Sequence, residues 1–171
     1  MILRKVYTLV FIRKDHQILL GYKKRGFGMD KYNGFGGKVE PNESIIDAAV
    51  RELREESCLE VKTSDLKSVG NLEFTFEGDQ LMMDVRVFST YIYKGTPKET
   101  EEMKPQWFLV DEVPFNDMWP DDRIWFPYML KGKLFYGKFH YKGFDQIMHF
   151  NINELDSMEK FYQNFSIKLK L

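Results

Sequence analysis

The sequence holds a single cysteine, Cys58, so no internal disulfide can form. A lone thiol makes a reducing setting, the cytoplasm, the expected one. Long apolar runs are also missing. The early stretch 6–12 includes Tyr7 and Thr8 and falls far short of the roughly 20 residues that span a bilayer. Arg13, Lys14 and Asp15 follow it, where a cleavage site would need small residues. Neither a targeting segment nor membrane binding is expected. Charge of one sign is not in excess: 25 Lys and Arg stand against 26 Asp and Glu, for a formal net charge of -1. Nothing therefore draws the whole molecule to polymeric nucleic acid or to an anionic surface. Internal repeats, low-complexity tracts and linkers are lacking, and 171 residues fit one domain, expected as a monomer. Aromatic residues, in contrast, reach 16%, and many fall outside any simple core pattern, as they would if some lined a pocket.

Periodicity divides the chain into short strands and a few helices. Residues 5–12, rich in Val, Thr and Tyr, read as a strand paired in a hairpin with 17–22. Residues 23–37 form a loop with five glycines. Residues 44–57 read as a helix, with Ile46, Ala49, Val50 and Leu53 on one stripe. Ser44 and Asp47 have the spacing of a capping box at its start. Further strands are expected at 69–76, 81–93 and 106–110, and a final hairpin at 135–141 and 146–152. Residues 121–130 look helical despite Pro127. Leu155, Met158, Tyr162 and Phe165 share a helical face. They predict a short helix in segment 157–171, packed on a domain of residues 1–156. The irregular alternation predicts an α+β fold with a mixed sheet and helices on it.

Three glutamates stand out. Glu52, Glu55 and Glu56 occur at i, i+3 and i+4 of the first helix, so they crowd one face. Like charges at this spacing each cost a few tenths of a kcal/mol. Arg51 and Arg54 can offset that on a solvated face; a divalent cation can do so as well, since hard oxygen ligands suit magnesium or manganese. Bound metal would also supply the positive charge that a free nucleotide needs.

The spacing around these residues is more specific. Gly37, Glu43, Arg51-Glu52-Leu53, Glu55-Glu56 and Leu59 match a pattern of Gly, five residues, Glu, seven residues, Arg-Glu-aliphatic, one residue, Glu-Glu, one residue, Gly, aliphatic. The chain resembles the Nudix hydrolase family through this box. Cys58 replaces the last glycine. A glycine just past a helix commonly adopts the left-handed conformation, where a Cβ costs about 1 kcal/mol or more. The departure bears on the helix end, not on the carboxylates.

The resemblance implies an α/β/α sandwich around a mixed β-sheet. It implies magnesium, or manganese, held by Glu52, Glu55, Glu56 and the Gly36 carbonyl, with Glu102 a further carboxylate. Glu56, Glu102 and Glu52 would carry catalysis, and Glu43 and Arg51 would brace the loop against the helix. The likeness extends to Lys23-Lys24-Arg25-Gly26-Phe27-Gly28, Asn33-Gly34-Phe35-Gly36-Gly37, Met83-Asp84-Val85 and Trp119-Pro120-Asp121-Asp122. These resemble the MutT-homologue branch, the oxidised purine nucleoside triphosphatases. That branch implies cleavage of substrates of the 8-oxo-dGTP and 2-oxo-dATP type to monophosphate and pyrophosphate, which would sanitise the nucleotide pool. A Nudix hydrolase for another nucleoside diphosphate derivative, and a catalytically weak nucleotide binder prompted by Cys58, are the alternatives. Substrate would be bound by Thr8, Leu9, Lys23, Phe27, Asn33, Gly37, Phe74, Met83, Trp119, Asp121 and Asp122. By themselves Thr8, Phe27, Phe74 and Met83 read as core, Asn33 before glycine as a turn, and the two aspartates as the first turn of a helix. Two adjacent carboxyls in an apolar pocket cannot both ionise cheaply, so one can stay protonated and donate.

Overall fold

The computed structural model describes residues 1–168. In chain order its elements are β1 (Leu3–Lys14), β2 (Gln17–Lys23), β3 (Tyr32–Asn33), α1 (Ile45–Ser57), β4 (Lys67–Phe76) and β5 (Leu81–Thr90). Then come β6 (Met103–Leu109), α2 (Asp122–Leu130), β7 (Leu134–Lys142), β8 (Gln146–Leu155) and α3 (Met158–Lys168). The strands form one mixed sheet in the order β3-β2-β1-β5-β4-β7-β8, with β6 paired to β2. β1 runs parallel to β5 over ten residue pairs, from Leu3 opposite Leu81 to Ile12 opposite Thr90. β4 and β7 are also parallel, and the β1–β2, β4–β5 and β7–β8 pairs are antiparallel.

Side-chain alternation divides β1 between two cores. Val10 and Ile12 pack with Leu19, Phe35, Ala49, Leu53 and Phe88 beneath α1. Phe11 points the other way and meets the rings of Trp125 and Phe126 on α2, with ring centroids 5.7 and 5.2 Å apart. Helices thus cover both faces, as expected for the sandwich. Arg4, Asn71, Asp84, Arg86 and Tyr136 have the parity of the α1 face, and there α3 packs. Its Tyr162 donates to the Asn71 carbonyl at 3.1 Å, Phe161 lies against Tyr136 with centroids 4.7 Å apart, and the Arg4 and Arg86 guanidinium groups sit over the rings of Phe165 and Tyr162.

Several boundaries differ from expectation. β5 stops at Thr90, not residue 93, because the Thr90 hydroxyl accepts the Ile92 amide at 3.0 Å and turns the chain. β6 begins at Met103, not residue 106; Pro105 sits within it opposite Gly21. Loop 23–37 contains the short β3. Asp121 precedes α2 rather than opening it. Pro127 lies inside α2, and the amide bond it cannot make would have gone to Arg123, an exposed residue near the helix start, where water can substitute. Leu155 ends β8 and is not on the last helix; Phe161, which the spacing did not single out, joins Met158, Tyr162 and Phe165 in facing the sheet.

Candidate active site

α1 is built as its sequence requires. Ser44 caps it by accepting the Asp47 amide at 3.1 Å, while its hydroxyl donates to the Asp47 carboxylate at 2.6 Å, so the expected box closes side chain to side chain. Cys58 ends it with φ 63° and ψ 14°, the left-handed conformation that the missing glycine would have taken without strain. Arg51 forks onto Glu43 with bonds of 2.6 and 3.0 Å and reaches the Lys38 carbonyl at 3.3 Å. Loop and helix are thereby tied. The arginine and the Glu40 amide hold the Glu43 carboxyl down at about 2. The same guanidinium contacts Glu52 at 3.0 Å and Glu55 at 3.3 Å. Arg51, not Arg54, therefore offsets the crowded charges.

Glu56 lies on the inner edge of the helix and is 1% exposed. One carboxylate oxygen accepts the Gly36 amide at 2.7 Å and the other meets the Lys23 ammonium at 3.1 Å. Burial pushes its pKa up to about 7, against the opposing pull of Lys23 and the Gly36 amide. Lys23 also approaches Glu102 at 3.5 Å, so its ammonium stands between the two carboxylates. Arg25 binds the other Glu102 oxygen at 3.3 Å. Burial likewise raises Glu52. Gly36 has no freedom to be anything else, since a Cβ there would strike the carbonyl oxygen of Thr8. A Cβ on Gly37 would strike the Glu52 carboxylate. Among the described residues no three acidic, histidine or cysteine side chains converge closely enough to chelate an ion as they stand. The donor set still fits a hard divalent cation in kind, because Glu52, Glu55, Glu56 and Glu102 offer oxygen alone and an ammonium already stands between two of them.

A pocket of about 440 Å³ opens from this cluster along the α2 face of the sheet. Every residue expected to bind substrate lies on its wall: Thr8, Leu9, Lys23, Phe27, Asn33, Gly37, Phe74, Met83, Trp119, Asp121 and Asp122. Gly36, Glu56 and Glu102 line it too, whereas Glu52, Glu55, Glu43 and Arg51 stand outside. At the far end Trp119 and Phe27 stack with centroids 5.1 Å apart. A base stacking on Trp119 must therefore use the uncovered face of the indole or displace Phe27, which is largely exposed. The Asn33 carbonyl accepts the Gly34 amide at 2.8 Å, the turn reading, which leaves its NH₂ group to donate.

Asp121 and Asp122 are 3% and 2% exposed. Asp122 accepts the Trp119 amide at 3.1 Å. Asp121 is bound by Tyr141 and Trp125, two pocket residues that sequence reasoning missed. Burial pushes both carboxyls up. On Asp121 the Tyr141 and Trp125 donors oppose it; on Asp122 the neighbouring charge adds to it, the Trp119 amide and Trp125 oppose it, and the group lies well above the usual carboxylate range. The site thus joins a carboxylate cluster able to handle phosphate and metal to an apolar slot ending in a buried acid pair.

Known proteins resemble this chain. The chain is 50% identical over 153 residues to the oxidized purine nucleoside triphosphate hydrolase of Mus musculus, covering 90% of this chain and 97% of the mouse protein. It is 48% identical over 154 residues to the Danio rerio protein of the same name, with the same coverage. The crystal structure of the mutator MutT protein from Bacillus halodurans superposes with a TM-score of 0.77 at 27% identity, covering 87% of this chain and 97% of that one. The NUDIX domain profile matches residues 3–129, a span that holds both the glutamate helix and the acid pair, and the chain belongs to the Nudix hydrolase family.

Proposed function

We propose that this protein hydrolyses oxidised purine nucleoside triphosphates, of the 8-oxo-dGTP and 2-oxo-dATP type, to the monophosphate and pyrophosphate. The observation that carries this reading is the pocket itself: an aromatic slot closed by two buried, adjacent carboxyls at one end and by Glu56 and its cluster at the other. An acid pair that holds one proton presents a donor beside an acceptor, a pattern able to read a purine edge whose tautomer has changed on oxidation. The names of the mouse and zebrafish relatives support the same substrate class.

In this reading the base enters between Trp119 and the Phe74–Met83 wall, and the phosphates extend toward Lys23 and Glu56. Glu52, Glu55, Glu56 and Glu102 would hold magnesium or manganese with the Gly36 carbonyl. The bound ion would neutralise phosphate charge and lower the pKa of an attacking water. Glu56, fixed by the Gly36 amide, would take a proton from that water. Lys23, which bridges Glu56 and Glu102, would turn to phosphate as substrate arrives. Attack falls on the β-phosphorus, so ¹⁸O from water enters pyrophosphate. The catalytic unit is residues 1–156, segment 157–171 is an accessory, and the enzyme works as a cytoplasmic monomer, where its one exposed thiol stays reduced.

The deciding measurement is kcat/KM across oxidised, methylated and normal purine triphosphates, with magnesium and with a chelator. Oxidised bases should lead and the chelator should abolish turnover. Equal turnover of normal dGTP, or full activity without divalent metal, would overturn the proposal.

A further inference from the structure

Behind the acid pair lies a hydrogen-bond arrangement that gives its two members different tasks. The Tyr141 hydroxyl on β7 is 2.5 Å from Asp121 Oδ1 and also accepts the Asp121 backbone amide at 3.1 Å. The Trp125 indole N–H donates to Asp121 Oδ2 at 2.8 Å. An indole nitrogen can only donate. The phenol oxygen already receives the amide proton, so its own proton points to Oδ1. Burial and the Asp121 charge raise the Tyr141 pKa, so the phenol keeps that proton. Both Asp121 oxygens therefore meet donors, and a proton placed on either would face another proton. Asp122 differs. Its Oδ2 accepts the Trp119 amide; the Trp125 indole acts on it as well, but the Tyr141 hydroxyl is bonded to Asp121 and not to Asp122.

We propose that Tyr141 is a positioning residue for base selection. With Trp125 it fixes Asp121 as the ionised acceptor and leaves the single proton of the pair on Asp122, so the pocket offers one donor beside one acceptor. The inference rests on the proposed function, because it names the residue that sets how that site reads a base. An edge with an acceptor facing Asp122 and a donor facing Asp121 binds at once. An edge of opposite pattern must first move the proton onto Asp121, against the Tyr141 bond. Tyr141 is the ionisable side chain bonded to the pair; Lys31 lies over the Trp119 ring, and Lys23, Arg25, Glu56 and Glu102 line the other end of the pocket.

Tyr141→Phe keeps the ring, which is 1% exposed, and removes only the hydroxyl. The ratio of kcat/KM between 8-oxo-dGTP and 2-oxo-dATP should move toward unity by up to about tenfold, the scale of one hydrogen bond to a charged group. Trp119→Ala should instead lower both substrates together, by about 10-fold to 100-fold. A direct readout is ¹³C NMR of the Asp121 and Asp122 carboxyl carbons across pH. In the wild type Asp121 should ionise first and Asp122 remain protonated at neutral pH; in Tyr141→Phe the two titrations should draw together. Asp122 ionising before Asp121 in the wild type overturns the assignment, and this arm stands even if the variant does not fold. A folded variant with unchanged ratio and unchanged carboxyl titrations overturns it as well. Absence of wild-type turnover on both oxidised substrates would instead remove the proposed function and leave the carboxyl order intact, so the two failures are distinguishable.

Discussion

Glu56 is held from two sides, by the Gly36 amide and the Lys23 ammonium, and is almost fully buried. A glutamine keeps its shape and loses its ability to take a proton. Glu56→Gln should lower kcat by about 100-fold to 10,000-fold, while metal-free binding of the base in the slot survives; steady-state kinetics beside calorimetry would show it. Wild-type turnover in that variant would place the base elsewhere. What could be read in advance at this scale was whatever sits close in sequence. The Glu52, Glu55 and Glu56 face follows from helical spacing, and the Asp121–Asp122 pair is visible as neighbours. Tyr141 was not readable, because it reaches Asp121 from 20 residues away, through the packing of α2 on β7. The link from Lys23 to Glu56 and Glu102 was hidden for the same reason.

At the scale of elements, α1 was legible almost to the residue, since a cap, an apolar stripe and a left-handed exit are all local signals. Cys58 takes that exit at a cost. Cys58→Gly should raise stability by up to about 1 kcal/mol, or a few degrees in Tm, without changing kcat; no gain by calorimetry would mean that the glycine's own chain entropy cancels the relief. The strand ends were less legible, because Thr90 and Pro105 act through a hydroxyl bond and a register that sequence patterns do not display. α3 has a physical task in covering charge. Beneath it, Asp84 is fully buried between Arg4 and Arg86, each bonded to it. Burial alone would push the Asp84 carboxyl up, but the two arginines outweigh it and hold it below the ordinary 3.8. A carboxyl lowered in the folded state adds stability above its unfolded pKa and loses it as pH falls through the folded one. The stability gap between wild type and Asp84→Asn, followed by urea melts, should therefore be widest near neutrality and shrink as pH falls below 3.8. A gap independent of pH would mean that the arginines do not act through charge.

On the scale of the whole molecule, the sheet separates two kinds of work. Its α2 face carries the pocket, and its other face is closed by α1 and by α3 over the arginines. The mixed-sheet class was readable from composition and alternation. The strand order was not, because a parallel partner is chosen by packing rather than by local pattern. Folding should accordingly be slow for a chain of this length, in the millisecond-to-second range. Stopped-flow fluorescence would test this, and a single microsecond phase would contradict it. The pairing of β1 with β5 has a further consequence during synthesis. Arg4 and Asp84 lie 80 residues apart. At about 5–20 residues per second, the ribosome leaves one edge of β1 without its partner for several seconds. In that interval β2 can cover only the opposite edge, and the nascent chain offers an open strand to whatever meets it first.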